Sequence, residues 1–536
     1  MSRGYKWAVG GIAAAAVAIR LLLAAAQLPY HYQADEFQIV ERALRVGAGE
    51  LNPGLFTWPG TLVIYLNFLA YAAYFAVLRV FGAVADAAAF ADLYWRAPGP
   101  FYFLGRLLST AFGLVAVLAA GQGARRAFGP SAGLAAAAFV AVAPAAVQAS
   151  AIALPDMAAA ALGATALAFA ARGLNEARPR YFLAAAICLG LGAAAKYHVL
   201  LYGPAIWAVI LLAKTTVRRK AALLGGTVAA AAAAFVVACP FAVIAAGDFT
   251  RDVATMIRRP GMARWAPSPQ YLAGTTLPLA LGWPLLLAAA AGVGALAYLR
   301  TRAALVVALA ALPFLGAALV RPLPPRHLLP LVVPLAWAVG AAVHATTSPN
   351  RRRGRSAAAT VWIALGALAF GVAVGHLPGA WRADTRTMAA EYFGTSVPAG
   401  TRVLVETVPP DVDGVPLHPT RDSLVRLVKY YEAKGGGSPG RYAFLAKSPA
   451  YPFGHRTYET YLAEEWLPSA RPPVDVAVRV VPDDRAFFAE QAKPYGTMLA
   501  PWGEEYAAFL ADRGHLRLVF AGQGRPGPTV EIYDIK

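Results

Sequence analysis

Blocks of apolar residues, each about 17–25 residues long, succeed one another down the first two thirds of this chain with only short polar clusters between them. An α-helix needs that length to cross about 30 Å of hydrocarbon, and only a helix or a closed barrel satisfies its own backbone polar groups there. Runs this long and unalternating read as helices, so an all-α polytopic membrane protein is expected over this region. The composition agrees: 58% of the 536 residues are apolar and 14% charged, against about 25% charged in soluble domains, and the mean hydropathy is +0.51. Ala and Gly dominate the blocks, which suits close helix–helix approach in lipid.

A net charge of +19 would suggest nucleic acid in a soluble protein, but here its placement gives another reason. The charge collects in five short clusters: Arg125-Arg126; Arg172, Arg178 and Arg180; Lys214, Arg218, Arg219 and Lys220; Arg300 and Arg302; and Arg351, Arg352, Arg353 and Arg355. Glu176 is the one acid among them, so the positive-inside rule places all five in the cytoplasm and no nucleic-acid partner is implied. Arg3 and Lys6 ahead of an apolar stretch mimic a signal peptide, but the stretch from Ala8 to Leu28 is long for one and Arg20 interrupts it. Cys188 and Cys239 fall inside apolar blocks, which neither indicates nor excludes a disulfide.

With the N-terminus and these clusters inside, spans are expected near 8–28, 105–122, 131–150, 157–172, 181–195, 198–213, 221–245, 276–298, 304–320, 328–345 and 357–377. Eleven crossings put the C-terminus outside. Residues 61–82 are also apolar enough to cross, yet counting them would move the arginines near 123–130 to the wrong face. Tyr65, Phe68, Tyr71, Tyr74 and Phe75, with Pro53 and Pro59 before them, favour a juxtamembrane helix along the outer interface. The competing reading is a true span paired with a second crossing around 83–104.

After Pro378 the composition becomes that of a soluble domain, giving a division into residues 1–377 in the membrane and an extracytoplasmic α/β domain at 378–536. Strand-like runs at 402–406, 442–446, 474–481, 516–520 and 529–533 alternate with helical stretches at 423–433 and 504–513. The Gly-rich stretch 435–440 is a loop and not a phosphate-binding motif, since no Lys-Ser/Thr follows it.

On this topology the external loops collect the informative side chains. The first carries His31, Asp35, Glu36 and Glu41; the second carries Asp156, which is equally readable as a helix cap. Lys196, with Tyr197 and His198, sits at an outer turn, where a cation either snorkels to headgroups or meets a lipid-linked phosphate. Arg321 and Arg326-His327 occupy another outer turn, and Arg251, Arg258, Arg259 and Arg264 a third segment, against the inside bias for positive charge. Carboxylates and cations on one side suit transfer from a lipid phosphate. A carboxylate takes the proton of an attacking hydroxyl while Lys and Arg stabilise the departing phosphate. Phosphate leaves without protonation, so one catalytic carboxylate suffices.

Asp35-Glu36 after the first span, Gly49-Glu50-Leu51-Asn52-Pro53 followed by Trp58-Pro59, the run from Arg106 to Gly113, the run from Ala124 to Pro130, Leu154-Pro155-Asp156-Met157, the run from Gly190 to Lys196, and Arg326-His327-Leu328-Leu329-Pro330 occur in a family order. Through them residues 5–345 resemble the GT-C superfamily of glycosyltransferases, in the branch of dolichyl-phosphate-mannose protein mannosyltransferases and lipid A aminoarabinose transferases. The resemblance implies a sugar donor on polyprenyl phosphate, an extracytoplasmic active site and inversion at the sugar. It makes Asp35 the catalytic base with Glu36 beside it, and Asp156 the second-loop acid. Lys196 and Arg326 then stand near the carrier phosphate, with His327 and Arg259 as further phosphate-binding candidates. Trp58-Pro59 lacks the His-Pro-Pro of many relatives, so acceptor contacts do not carry over. Asp35, Glu36 and Asp156 are also the candidate oxygen ligands of a possible divalent metal, whereas no His/Cys spacing supports zinc.

Two further classes compete with an inverting glycosyltransferase: a transporter of polyprenyl-linked lipid or solute, and an assembly factor whose external domain binds wall components. A transporter would need polar residues deep in several spans or matched broken helices, and the spans carry few acids and no half-to-half symmetry. Protein Ser/Thr, lipid A, a wall polymer and a glycolipid all offer suitable acceptor nucleophiles. High Ala, Gly and Arg suggests a GC-rich bacterial source, hence the inner or plasma membrane.

Overall fold

The computed structural model describes residues 2–29, 33, 35–258, 269–320, 323–348, 355–405, 415–434, 439–467, 473–481, 505–521 and 528–536. They form two compact units. The first comprises Met1–Ala26, Gln38–Tyr74 and Phe101–Leu377; the second comprises Gln27–Phe37, Phe75–Pro100 and Pro378–Lys536.

The first unit is helical. Among the described residues, eight helical stretches are long and apolar enough to cross a membrane, beginning at Arg3, Thr61, Gly99, Asp156, Val217, Arg302, Pro325 and Arg355. A broken pair, Pro269–Leu281 and Trp283–Leu299, makes a ninth, and Pro130–Val142, Pro179–Ala195 and Tyr197–Leu212 are shorter apolar helices. Each of the eleven expected spans has helix beneath it, and residues 61–82 form the helix Thr61–Val80. The helix Leu329–Thr347 runs through the middle, buried from Leu329 to Ala342. Neighbours reach it over glycine: a Cβ on Gly292 would lie 2.6 Å from the Ala338 carbonyl carbon, and one on Gly340 2.6 Å from the Ala132 oxygen.

Three spans expected to be single helices are broken, among them 221–245, which stops at Ala238 and restarts at Phe241. The 276–298 stretch turns by 111° at Gly282, whose φ of +72° is open to glycine and strained for other residues. The 131–150 stretch stops at Val142 and restarts at Pro144. Pro144 has no N–H to give the Val140 carbonyl, which leaves an acceptor without its helical partner inside the bundle. Arg20 replaces it. Its Nη2 donates to Val140 O at 3.1 Å, its Nη1 to Ala141 O at 2.8 Å and to Ala16 O at 3.0 Å, and its Nε to Ser150 Oγ at 3.0 Å. Gly113 leaves the room, since a Cβ there would overlap Ser150 Oγ and lie 2.8 Å from Arg20 Nε. The charge that interrupts the first apolar block is therefore the cap of another helix.

The second unit is built on a six-stranded sheet of order β2-β3-β1-β4-β6-β5, where β1 is Arg402–Val405, β2 His418–Pro419, β3 Thr457–Leu462, β4 Val476–Val481, β5 Gly514–Phe520 and β6 Thr529–Ile535. The pairs β1·β3, β1·β4 and β2·β3 are parallel, and β6 runs antiparallel to β4 and β5. Both faces are covered, so β1 reads as an unbroken apolar run: Val403 and Val405 join Phe393, Leu424 and Tyr442 on one side, and Leu404 joins Trp466, Tyr506 and Leu510 on the other. The loop segments 27–37 and 75–100 belong to this unit through side chains. Gln27 Nε2 donates to Ala380 O and Arg382 O, Ser448 Oγ donates to Asp92 Oδ1 at 3.3 Å, and Trp95 lies 5.5 Å from Phe444 ring to ring.

One expected strand is a helix. Residues 442–446 lie in Pro439–Lys447, where Tyr442, Leu445 and Ala446 fall at helical spacing and Tyr442 stacks on Tyr431 at 5.5 Å. Strands β2 and β3 were not expected, although Thr457–Leu462 is rich in Thr and Tyr, which strands favour.

Replacing Arg20 by Leu removes every donor from Val140 and Ala141 that the arginine supplies. Lost charged hydrogen bonds cost about 1.5–3 kcal/mol each and leave buried acceptors bare, so the detergent-solubilised protein should melt well below wild type, whereas Ser150→Ala should cost far less. In the sheet domain, His418 stacks on His455 at 4.1 Å, and burial first, then the neighbouring imidazole, pulls the His418 pKa down to about 4. The unfolded chain, titrating near 6.5, binds more protons in the window from about pH 6.5 to about pH 4, so stability is full above it and falls with falling pH within it, by at most about 1.4 kcal/mol per pH unit. Hydrogen-exchange protection factors of the Val415, Leu417, His418 and Thr420 amides in the whole chain should fall as the pH is lowered across that window, and His418→Phe should flatten the response.

Candidate active site

Lys196 is placed by the way one helix ends. Pro179–Ala195 closes with the Lys196 N–H on Gly192 O at 2.7 Å, Lys196 turns extended, and a 3₁₀ segment, Tyr197–Tyr202, follows. That segment is wedged into two glycine gaps. A Cβ on Gly192 would lie 2.9 Å from Val199 Cγ1, and one on Gly163 would overlap the Tyr202 ring and lie 2.9 Å from Val199 Cγ2. Two phenol groups fasten the wedge: Tyr197 donates to Phe56 O at 2.8 Å, and Tyr202 donates to Pro330 O. The Gly60 N–H adds a bond to Ala195 O at 3.1 Å. Gly60 has φ +55°, and Ile39 Cδ1 stands 3.0 Å from where its Cβ would be. Loop 52–60, the Lys196 turn and the start of the central helix are thus held to one another.

Asp156 opens the helix Asp156–Glu176. The cap position belongs to Pro155, whose side chain makes no capping bond, and the aspartate faces away from that duty. Its Oδ1 accepts from Lys196 Nζ at 2.6 Å, with the two side chains 5% and 16% exposed. An ion pair this buried is held by geometry and by the helix N-terminus, whose partial positive charge favours the carboxylate. Arg326 and His327, on the 3₁₀ turn Pro325–Leu328, lie within electrostatic reach of the same carboxylate. His198 packs edge-on against Phe314 at 6.3 Å, and Phe314 meets Tyr202 at 5.1 Å. The cluster thus gathers one carboxylate, the Lys196 ammonium and the Arg326 guanidinium at one turn.

Of the residues expected from sequence, Asp156, Lys196, Arg326 and His327 converge in the first unit. Asp35 and Glu36 belong to the second. Asp35 is half-buried in a turn, and Glu36 is fully buried as the first residue of the helix Glu36–Gly47, with its N–H on Gln33 O at 3.1 Å. Arg259, along with His31, Arg264 and Arg321, lies outside the described residues. Among the described residues no group of three or more His, Cys, Asp or Glu gathers as a metal site. The Lys196 ammonium lies against Asp156.

Two supporting residues were not assigned roles from sequence. Arg106 is buried and donates from Nη1 to Ala24 O and Ala26 O, both at 3.1 Å, which closes the C-terminal end of the first span. A lone arginine in an apolar run was the available signal. Tyr202 lies in an apolar run, and its phenol has meaning only with the Pro330 carbonyl opposite.

Residues 102–244 match the family model described as dolichyl-phosphate-mannose-protein mannosyltransferase. No curated protein matches the chain in sequence. Among solved structures, ArnT from Cupriavidus metallidurans bound to undecaprenyl phosphate is similar with a TM-score of 0.55, at 14% identity over 99% of this chain and 98% of that one. The apo state of the same protein gives 0.54 at 16% identity over the same shares. The chain therefore shares the fold of these structures, with a multi-pass helical membrane part and a C-terminal α/β region.

Removing one member of the buried pair strands the other. Lys196→Met should cost about 3–5 kcal/mol, and Asp156→Asn a similar amount, while the double variant should be less destabilised than the sum of the two. A double-mutant cycle from thermal melts in detergent checks this, with a coupling energy above about 1 kcal/mol expected.

Proposed function

We propose that this protein is an inverting glycosyltransferase that moves a sugar from a polyprenyl-phosphate carrier to an acceptor at the extracytoplasmic face of the membrane. The observation that carries the proposal is the buried Asp156–Lys196 pair, with Arg326 and His327 beside it, inside a bundle of this fold. The similarity to ArnT bound to undecaprenyl phosphate supports a lipid-phosphate donor, and the mannosyltransferase family match supports transfer over transport.

In this reading Asp156 keeps the Lys196 side chain aimed, and its own hydrogen-bonding capacity is spent on that task. Lys196 and Arg326 supply the positive field for the carrier phosphate, with His327 as a hydrogen-bonding neighbour. The acceptor nucleophile attacks the anomeric carbon from the face opposite the phosphate. A bond forms between acceptor oxygen and carbon as the bond from carbon to phosphate oxygen breaks, and configuration inverts. Asp35 takes the acceptor proton, with Glu36 beside it. The polyprenyl phosphate leaves carrying the electron pair, its charge met by Lys196 and Arg326. The basic clusters place the N-terminus in the cytoplasm, and the sheet domain at 378–536 then lies outside, where it helps admit the acceptor. A bacterial inner membrane is the setting that the composition favours.

Membranes carrying the protein and supplied with radiolabelled polyprenyl-phosphate sugars should move label to an endogenous acceptor. Asp35→Asn should lower transfer by about 10²–10⁴-fold at normal expression, and Lys196→Met should do so while retaining the donor's sugar unhydrolysed. Label transferred at the wild-type rate by Asp35→Asn would remove that residue from the role of base. Label flipped across liposomes with no covalent product would overturn the enzyme reading.

A further inference from the structure

Between the helices Trp283–Leu299 and Arg302–Val320 lies a groove of about 430 Å³. Both helices pack on Leu329–Thr347 but scarcely on each other, so they splay and leave Pro334, Leu335 and Ala338 of the central helix as a floor. Val293, Leu305 and Leu312 stand exposed along its walls. The apolar lining ends in polar groups at one end only, at Arg300 and Thr301, with Arg302 next in sequence. Among the described residues no carboxylate pairs with Arg300 or Arg302.

Length and position narrow what fits. The wall from Thr301 to Leu315 rises about 21 Å at 1.5 Å per residue, close to half of a bilayer about 40–45 Å thick with its headgroups. The arginine end is remote from Asp156. The helix Arg302–Val320 starts there and leads to the turn with Arg326 and His327 at its other end, a full span away. A slot one leaflet deep, apolar along its length and cationic at its mouth, matches a bilayer phospholipid with an anionic headgroup.

We propose that this groove binds an anionic phospholipid of the leaflet on the Arg300 side, one acyl chain lying on the central helix and the phosphodiester meeting Arg300. The inference stands apart from the transfer reaction and concerns a second lipid site.

The test is native mass spectrometry of the full chain in detergent, titrated with phosphatidylglycerol or phosphatidylcholine of identical acyl chains. Wild type should retain phosphatidylglycerol about fivefold or more over phosphatidylcholine, the preference expected of one interfacial arginine. Arg300→Gln should erase that preference, Arg300→Lys should keep it, and Ala308→Trp should fill the groove and lower adducts of both lipids. Equal retention of the two lipids by wild type, or no retention, overturns the proposal. So does an undiminished preference in Arg300→Gln, or undiminished adducts in Ala308→Trp. If Arg300→Gln does not elute as wild type does, the Arg300→Lys and Ala308→Trp results decide alone.

Discussion

A charge held away from water needs an answering charge or a set of dipoles, and the first unit is organised around how that need is met. Arg20 is met by carbonyls and a hydroxyl alone, donating to Val140, Ala141, Ala16 and Ser150. Arg106 is met by the last carbonyls of the first span. Lys196 is the different case, because its partner is a carboxylate and further positive charge stands nearby. The Arg20 arrangement spreads one cation over carbonyls and a hydroxyl, and both arginines bond to the backbone of the first span. The third concentrates opposite charges at a single turn.

The accuracy of that arrangement rests on packing. Val199 and Tyr202 enter gaps that exist because positions 163 and 192 have no side chain, and the two phenols at 197 and 202 reach in different directions from the same short segment. A lysine on a free loop would sample many rotamers. Here the backbone on both sides of it is fixed by contacts too close to slide, so the ammonium sits at 2.6 Å from Asp156 with little freedom left to lose on binding.

Much of this was readable from residues. Apolar block length locates helix under every expected span, and Asp156, Lys196, Arg326 and His327 stand out in the sequence as charged or titratable groups at outer turns. What escaped was whatever depends on a partner distant in sequence. Arg20 looked like an interruption because Val140 lies 120 residues away and its missing donor follows from Pro144. The break at Gly282 was hidden inside a continuous apolar run, since hydropathy does not register a backbone angle. Residues 442–446 satisfied both a strand and a helix pattern, and the aromatic stack with Tyr431 decided between them.

The second unit draws on three stretches of chain, and Gln27 bonds to the Ala380 carbonyl 353 residues later. At about 5–20 residues synthesised per second, the loop after the first span waits roughly 20–70 s for that partner to exist. Every intervening span has been made by then. The unit that contains Asp35 and Glu36 is therefore completed last, so a chain stalled partway through synthesis holds the lysine turn and its aspartate without the finished surroundings of the acidic pair. Order of synthesis by itself keeps an unfinished molecule from being a complete one.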